Sequence, residues 1–361
     1  MGREEDFTVI NQSLQSFKGV TGSGWAAYLA DSLELLKAIP DHSISLILTD
    51  PPYHVTKKKN IYGDASFKED QHFVDWMMLY AHEWNRILKP NGSFFCFCAP
   101  KMAGQLEVSF SKIFNVLSHI TWTKPNDPGF DGWKQKMKKE SLRQWYDHSE
   151  RIIFAEPAYY GNLHRSYFGN LLRGWRKTAG LSGHKLTELT GAYGKVNHGG
   201  AVSNWEAGRN TPSREQYRKL VEALKSTGKI EELQAYEDVI RPFIVNPKKE
   251  FTDVWTFPNV RPYKGKHPAE KPIELLEHAI QATTFEGDIV LDCFSGSGNT
   301  ALAAINLNRR AIAIDIEEQW FDRSVKRLLQ RAITSHAVSD AQVSFVEDSP
   351  IETAEVQLSL G

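Results

Sequence analysis

The chain has 361 residues, enough for two domains or for one large domain carrying an insertion. Its 43 Lys and Arg against 44 Asp and Glu leave a formal charge of −1, which excludes a histone-like polycation but permits a local basic face. Hydrophobic residues at 41% and charged residues at 24% describe a chain able to bury a sizeable core, so disorder is excluded as its overall state. No apolar run approaches the ~18 residues of a membrane span, and the opening MGREEDFTVINQS is too polar for a signal peptide. A cytoplasmic protein with no membrane contact is therefore expected. The three cysteines, Cys96, Cys98 and Cys293, are too few for a disulfide framework or a four-ligand zinc site. They suit a reducing compartment, and no metal is expected.

In chain order, Ile44 to Thr49 reads as a buried strand, an apolar stretch closed by Asp50-Pro51-Pro52. Phe73, Met77, Tyr80, Trp84 and Leu88 recur every three or four residues and predict one face of a helix. Lys89-Pro90-Asn91-Gly92 should stop that helix, and Ser93 to Cys98 should form the next strand. Lys134, Lys136, Lys138 and Lys139, between Trp133 and Trp145, read as a solvated helix face or as contacts to phosphate. From about residue 160 to 250 the pattern turns polar and helical. Arg165 to Lys229 holds twelve Lys and Arg against four acids. Strand grammar returns with Ile289–Asp292, a helix over Asn299–Asn306 and a strand over Arg310–Asp315. After Ser335 the periodicity is weak.

Strand, helix, strand predicts an α/β fold with a doubly wound, mostly parallel sheet. The basic middle segment reads as an inserted helical domain. The expected division is 1–160 and 249–335 for the two halves of the α/β domain, 161–248 for the insert, and 336–361 for a tail without assigned role.

Two turns carry chemistry. Asp292-Cys293-Phe294-Ser295-Gly296-Ser297-Gly298-Asn299-Thr300 lies between a strand and a helix, where glycines admit close backbone approach and the helix offers free N–H groups. Asp315 closes the following strand, where an acid suits a pair of ribose hydroxyls. The spacing is not the dinucleotide G-x-G-x-x-G, and a tight turn without ligand fits equally well. Asp50-Pro51-Pro52-Tyr53 also follows its strand directly and so belongs on the same carboxyl edge. A carboxylate, stiff proline carbonyls and an aromatic ring suit a planar group bearing an amine. A rigid turn capped by Tyr53 is the bland reading of the same four residues.

Taken together, these turns resemble those of the S-adenosylmethionine-dependent DNA amino-methyltransferases of the permuted β group. Asp50-Pro51-Pro52-Tyr53 matches that family's catalytic tetrapeptide, and Asp292 to Thr300 its cofactor loop, Phe294 included. His267-Pro268-Ala269-Glu270-Lys271-Pro272 resembles its His-Pro-x-x-Lys-Pro element, and Tyr28 to Ser32 the segment that opens the catalytic half. Asp253-Val254-Trp255 resembles the strand returning from the recognition region. The resemblance spans about 25–155 and 250–332 and implies a Rossmann-like methyltransferase fold in permuted motif order. It implies catalysis by Asp50, Pro51, Pro52 and Tyr53. It implies S-adenosylmethionine, without metal, held by Asp31, His267, Lys271, Asp292, Phe294, Gly296, Gly298, Asn299, Thr300 and Asp315.

The expected reaction is methylation of the N6 amine of an adenine flipped out of double-stranded DNA. Within that family Asp rather than Ser at the position of Asp50 is more usual among adenine-methylating members, so the resemblance implies adenine over cytosine N4. No Pro-Cys dipeptide occurs, which excludes methylation at cytosine carbon 5. A homodimer and a partner restriction endonuclease are associations the family admits. A DNA-binding regulator with a degenerate methylase domain is the reading from a different class.

Within the insert, Leu181-Ser182, Leu186-Thr187, Gly191, Val202 to Arg209 and Pro212 resemble the helix-turn-helix of Cro-like phage repressors. That likeness implies Trp205 and Leu220 in the core and Arg209 near the DNA backbone. Asn197, His198, Ser203 and Asn204 are then the candidates to reach base edges in the major groove. A helical scaffold with a solvated basic face is the alternative.

Overall fold

A computed structural model of the chain describes residues 3–54, 67–125, 138, 140, 143, 145, 148–158, 166–193, 200–245, 251–335 and 344–346. The strands are β1 (Gly19–Gly22), β2 (Trp25–Leu29), β3 (Ile44–Thr49), β4 (Leu88–Cys98), β5 (Phe114–Thr123), β6 (Ser149–Pro157), β7 (Val254–Thr256), β8 (Ile289–Asp292), β9 (Arg310–Asp315) and β10 (Ser344–Val346). They form one sheet in the order β10-β1-β2-β9-β8-β3-β4-β6-β5-β7. The five central strands, β2, β9, β8, β3 and β4, run parallel. β1 and β10 join one edge antiparallel, and β6 and β5 extend the other antiparallel, with β7 parallel to β5.

The central strands are apolar on both faces, as parallel strands covered twice must be. Alternate residues divide them between two cores. Ile44, Ile47, Phe94, Leu291 and Ile312 belong to one, beneath α1 (Arg3–Ser13), α2 (Ser32–Ala38), α3 (Asp70–Ile87) and α4 (Pro100–Phe110). Leu46, Leu48, Phe95, Val290 and Ala313 belong to the other, beneath α10 (Ile273–Thr283), α11 (Asn299–Asn306) and α12 (Glu318–Ser335). The fold is thus a doubly wound α/β sheet, as the alternation of patterns predicts.

At Lys89-Pro90-Asn91-Gly92 the structure departs from expectation. The helix stops at Ile87 and the next strand starts at Leu88, with no loop between them. Ile44 pairs with Leu88 and Leu46 with Ser93, so residues 89–92 bulge out of a ladder already begun. Leu88 is fully buried beside Ile44, which outweighs the turn-forming preference of the four residues that follow. The bulge has a further use: Asn91 Nδ2 donates to the carbonyls of Glu237 and Ile240, at 2.9 and 3.3 Å. Residues after 335, unassigned from sequence, contribute β10.

The basic middle segment leaves the sheet. It forms α5 (Tyr167–Ala179), α6 (Gly183–Thr190), α7 (Ala201–Glu206), α8 (Arg214–Lys225) and the single turn α9 (Tyr236–Val239). Serines start three of these helices: the side chains of Ser166, Ser182 and Ser213 accept from the backbone N–H of Gly169, Lys185 and Gln216. Phe168, Leu172, Leu186, Val202, Trp205, Tyr217 and Leu220 fill a core of their own. Arg176 pairs with the buried Glu206 through Nε at 2.5 Å and Nη2 at 3.1 Å, fastening α7 to α5.

Candidate active site

β3, β8 and β9 are parallel neighbours, and an acid stands at the end of each: Asp50, Asp292 and Asp315. Topology alone therefore brings both predicted turns to one edge of the sheet. Thr49 fastens them together. Its hydroxyl donates to Asp292 Oδ1 at 2.8 Å and accepts the Cys293 backbone N–H at 3.1 Å. The two turns line one cavity of about 620 Å³, which also receives Asp31, His267, Lys271 and Asp315.

On one side of the cavity lies the glycine turn. Asp292 also accepts the Phe294 N–H at 3.1 Å, and the Thr300 hydroxyl bonds to it. Asp315 accepts the N–H groups of Gly296 at 2.7 Å and Glu317 at 2.9 Å. Burial pushes both carboxyls up to about 6, against these hydrogen bonds. Gly296 and Gly298 have φ of +49° and +77°, where a side chain is strained. A Cβ on Gly296 would lie 3.2 Å from the His267 ring, and one on Gly298 only 2.9 Å from Ser324 Cβ.

His267 packs edge-on to Trp320, with ring centroids 4.5 Å apart, and its Nδ1 accepts the Ala269 N–H at 3.2 Å. Burial, with Lys271 second, lowers its pKa to about 4, so the ring is neutral near pH 7. Asn299 ties the His267–Pro272 segment to the glycine turn: Nδ2 donates to Lys271 O at 2.7 Å and Glu270 Oε1 at 3.2 Å. Its Oδ1 is buried without a hydrogen-bond partner among the described residues. Phe294 forms the wall with Tyr80 and Trp76, at centroid distances of 5.1 and 5.8 Å. Asp31 caps α2 by accepting the Leu33 and Glu34 N–H groups at 2.8 and 3.3 Å while lining the cavity.

On the other side lie Asp50, Pro51, Pro52 and Tyr53. Lys271, expected beside the cofactor loop, is placed here instead. Its Nζ donates to Asp50 Oδ2 at 2.5 Å, lies 3.3 Å from Glu150 Oε2 and stands 5.0 Å over the Tyr53 ring. Burial opposes its charge, but the two carboxylates outweigh burial and hold the ammonium above the usual lysine range. Burial likewise raises the Asp50 carboxyl; Lys271 draws it back down, Glu150 pushes it up, and the net direction is upward. Asp50 Oδ1 is buried with no hydrogen-bond partner among the described residues. Tyr53 donates its hydroxyl to Glu150 Oε2 at 2.6 Å, and burial with two neighbouring carboxylates holds it firmly as a phenol.

Several lining residues have no signal in the sequence motifs. Glu150, Lys124 and Trp320 are brought in by tertiary packing alone. Trp76 and Tyr80 sit on the periodic face of α3, four residues apart, where a core role accounts for them equally well. Among the described residues no group of three or more His, Cys, Asp or Glu is arranged to hold a metal ion, and no helix is long and apolar enough to cross a membrane.

In the helical segment, Trp205 and Leu220 are buried, while Ser203 and Arg209 are exposed on the same short stretch. Arg209 Nη1 donates to Asn204 Oδ1 at 3.3 Å. Asn197 and His198 lie outside the described residues.

The family model N6_N4_Mtase, DNA methylase, matches residues 44–326, from β3 into α12. Type II methyltransferase M2.MboI of Moraxella bovis is 38% identical over 315 residues, covering 83% of this chain and 86% of that protein. DNA adenine methyltransferase YhdJ of Escherichia coli (strain K12) is 28% identical over 302 residues, covering 82% and 80%. The solved structure of PvuII DNA methyltransferase (cytosine-N4-specific) shares the fold, with a TM-score of 0.51 at 19% identity over 87% of this chain and 92% of that one. By the extent of the family match and by its similarity to M2.MboI, the chain belongs to the N6/N4 DNA methylases and is a DNA methyltransferase of that class.

Proposed function

We propose that the protein transfers a methyl group from S-adenosylmethionine to the N6 amine of an adenine flipped out of duplex DNA. The observation that carries this reading is the Thr49 link, which sets Asp50 and the glycine turn side by side in one cavity. The donor set suits such a cofactor: the close approach that Gly296 permits at the cavity wall, the Asn299 Oδ1 acceptor, the acids Asp31 and Asp315, and an aromatic wall at Phe294, whereas Gly298 shapes the turn without lining the cavity. When bound, S-adenosylmethionine supplies an electrophilic methyl group on a sulfonium.

The chain supplies alignment and electrostatics. An exocyclic amine is a poor nucleophile because its lone pair is delocalised into the ring. Asp50 Oδ1, buried and unpaired among the described residues, suits an amine N–H and would favour a pyramidal nitrogen with a usable lone pair. Lys271, on Oδ2, favours the charged form of that carboxylate against burial. Tyr53 offers a ring face to the base; stacking worth ~1–3 kcal/mol offsets part of the few kcal/mol that flipping costs. Asp at position 50 supports adenine as the target, and the adenine specificity named for YhdJ agrees with it.

Residues 161–248 are proposed as the DNA reader. Their support is the basic surplus, a separate core, and a short helix presenting Ser203 and Asn204 beside Arg209. The type II name of M2.MboI supports a companion endonuclease that the methylated site would resist. Mass analysis of nucleosides from duplex DNA treated with the protein and S-adenosylmethionine tests the reaction. N6-methyladenine is expected. N4-methylcytosine overturns the choice of base, and label on RNA or protein alone overturns DNA as the substrate.

A further inference from the structure

Glu150 lies opposite Trp122 in the β5–β6 register and lines the cavity. Its two oxygens are divided between three partners. Oε1 accepts the Lys124 ammonium at 2.5 Å, while Oε2 accepts the Tyr53 hydroxyl at 2.6 Å and faces the Lys271 ammonium at 3.3 Å. Lys271 in turn holds Asp50 Oδ2. Charges therefore alternate along Asp50, Lys271, Glu150 and Lys124, and the four cancel.

Cancellation accounts for tolerance of the charges in a buried place, since an unpaired one there would be strongly destabilising. It leaves the geometry unexplained. An ammonium held by Asp50 alone would be free to draw that carboxylate toward itself and away from the amine hydrogens it must accept. Glu150 competes for that ammonium from the opposite side. It also holds the tip of the Tyr53 ring, the residue three positions after Asp50 on the same rigid turn.

We propose that Glu150 is a positioning residue for methyl transfer: it fixes the Tyr53 ring through the phenolic hydroxyl and holds Lys271 from the side opposite Asp50, so that Asp50 offers Oδ1 to the target amine. This rests on the function proposed above.

Glu150→Gln separates the two roles, because its amide oxygen still accepts from Tyr53 while the charge is gone. The single-turnover rate of methyl transfer is expected to fall about 10- to 100-fold, the scale of a small misplacement of reacting groups. Affinities for S-adenosylmethionine and duplex DNA should stay within about twofold of wild type. The acid limb of the rate should also move to lower pH. Asp50 is faced by Lys271 and Glu150, by Tyr53 on its own turn, by Cys96 and Cys98 of β4 and by Asp292 of β8. Removing the Glu150 charge takes away a negative neighbour that raises Asp50, so Asp50 stays ionised to lower pH.

Tyr53→Phe removes the other arm. In the double variant with Glu150→Gln, the loss should be smaller than the product of the two single losses. A lowered melting temperature with rate and acid limb unchanged would make Glu150 a structural ion pair and overturn the proposal. Should Glu150→Gln not fold, Tyr53→Phe decides: a slower rate at unchanged cofactor affinity supports the proposal, and an unchanged rate overturns it. A wild-type protein that methylates no DNA overturns both this inference and the functional reading, whereas active wild type with unaffected variants overturns this inference alone.

Discussion

Asp50 is pulled in opposite directions by burial, which favours its neutral form, and by Lys271 at 2.5 Å, which favours its charge. Glu150 sides with burial, and the outcome is a carboxyl raised above the ordinary Asp value. In the proposed role the ionised form is the stronger acceptor of an amine N–H, so the methyl-transfer rate should fall as pH falls through this raised value. Rapid-quench single turnovers across the acid range should show an acid limb at higher pH than an exposed aspartate would give. A rate that holds until the ordinary carboxylate range would contradict this. At this scale the sequence was only partly legible. Asp50, Tyr53 and the glycine turn stand out because local motifs carry them. Lys271 was expected beside the cofactor, and its true partners, Asp50 and Glu150, could not be seen in its motif. Lys271 and Asp50 are 221 residues apart, and Tyr53 and Glu150 are 97 apart. No spacing rule reaches across such intervals.

β3, β8 and β9 are legible end to end, because each is an apolar run closed by a polar residue at the sheet edge. The start of β4 is not, since burial of Leu88 beside Ile44 overrides four turn-forming residues. At the junction of β8 and α11, the left-handed Gly298 lies against Ser324 of α12. Gly298→Ala is therefore expected to destabilise the protein by about 1–3 kcal/mol and to weaken S-adenosylmethionine binding, read by thermal melts and calorimetry. An unshifted melt with unchanged binding would show that the turn tolerates a side chain. In the helical segment the proposed partner is DNA. Arg209→Ala should weaken binding evenly across sequences and reduce the salt slope by about 1, whereas Asn204→Ala should alter sequence preference. Binding isotherms at several salt concentrations on cognate and scrambled duplexes distinguish the two. Equal effects of both variants on every sequence would remove α7 from base reading.

Across the whole molecule, a net charge of −1 hides an uneven distribution, with the basic surplus gathered in the segment that leaves the sheet. The sheet meanwhile joins two stretches of chain that are separated by that segment. β3, with the Asp50 turn, and β8, with the Gly296 turn, are hydrogen-bonded neighbours. The proposed function then implies a division of labour within one cavity, in which the glycine side would bind the methyl donor and the Asp50 side would receive the base amine. Asp50→Ala tests that division directly, because Glu150 remains as a partner for Lys271 and the glycine turn is untouched. Cofactor affinity by calorimetry and tritiated methyl transfer to duplex DNA should be measured on the same preparation. Unchanged affinity with transfer reduced on the order of 10²–10³-fold or more is the predicted result. Transfer at the wild-type rate, or loss of cofactor binding together with transfer, would contradict it.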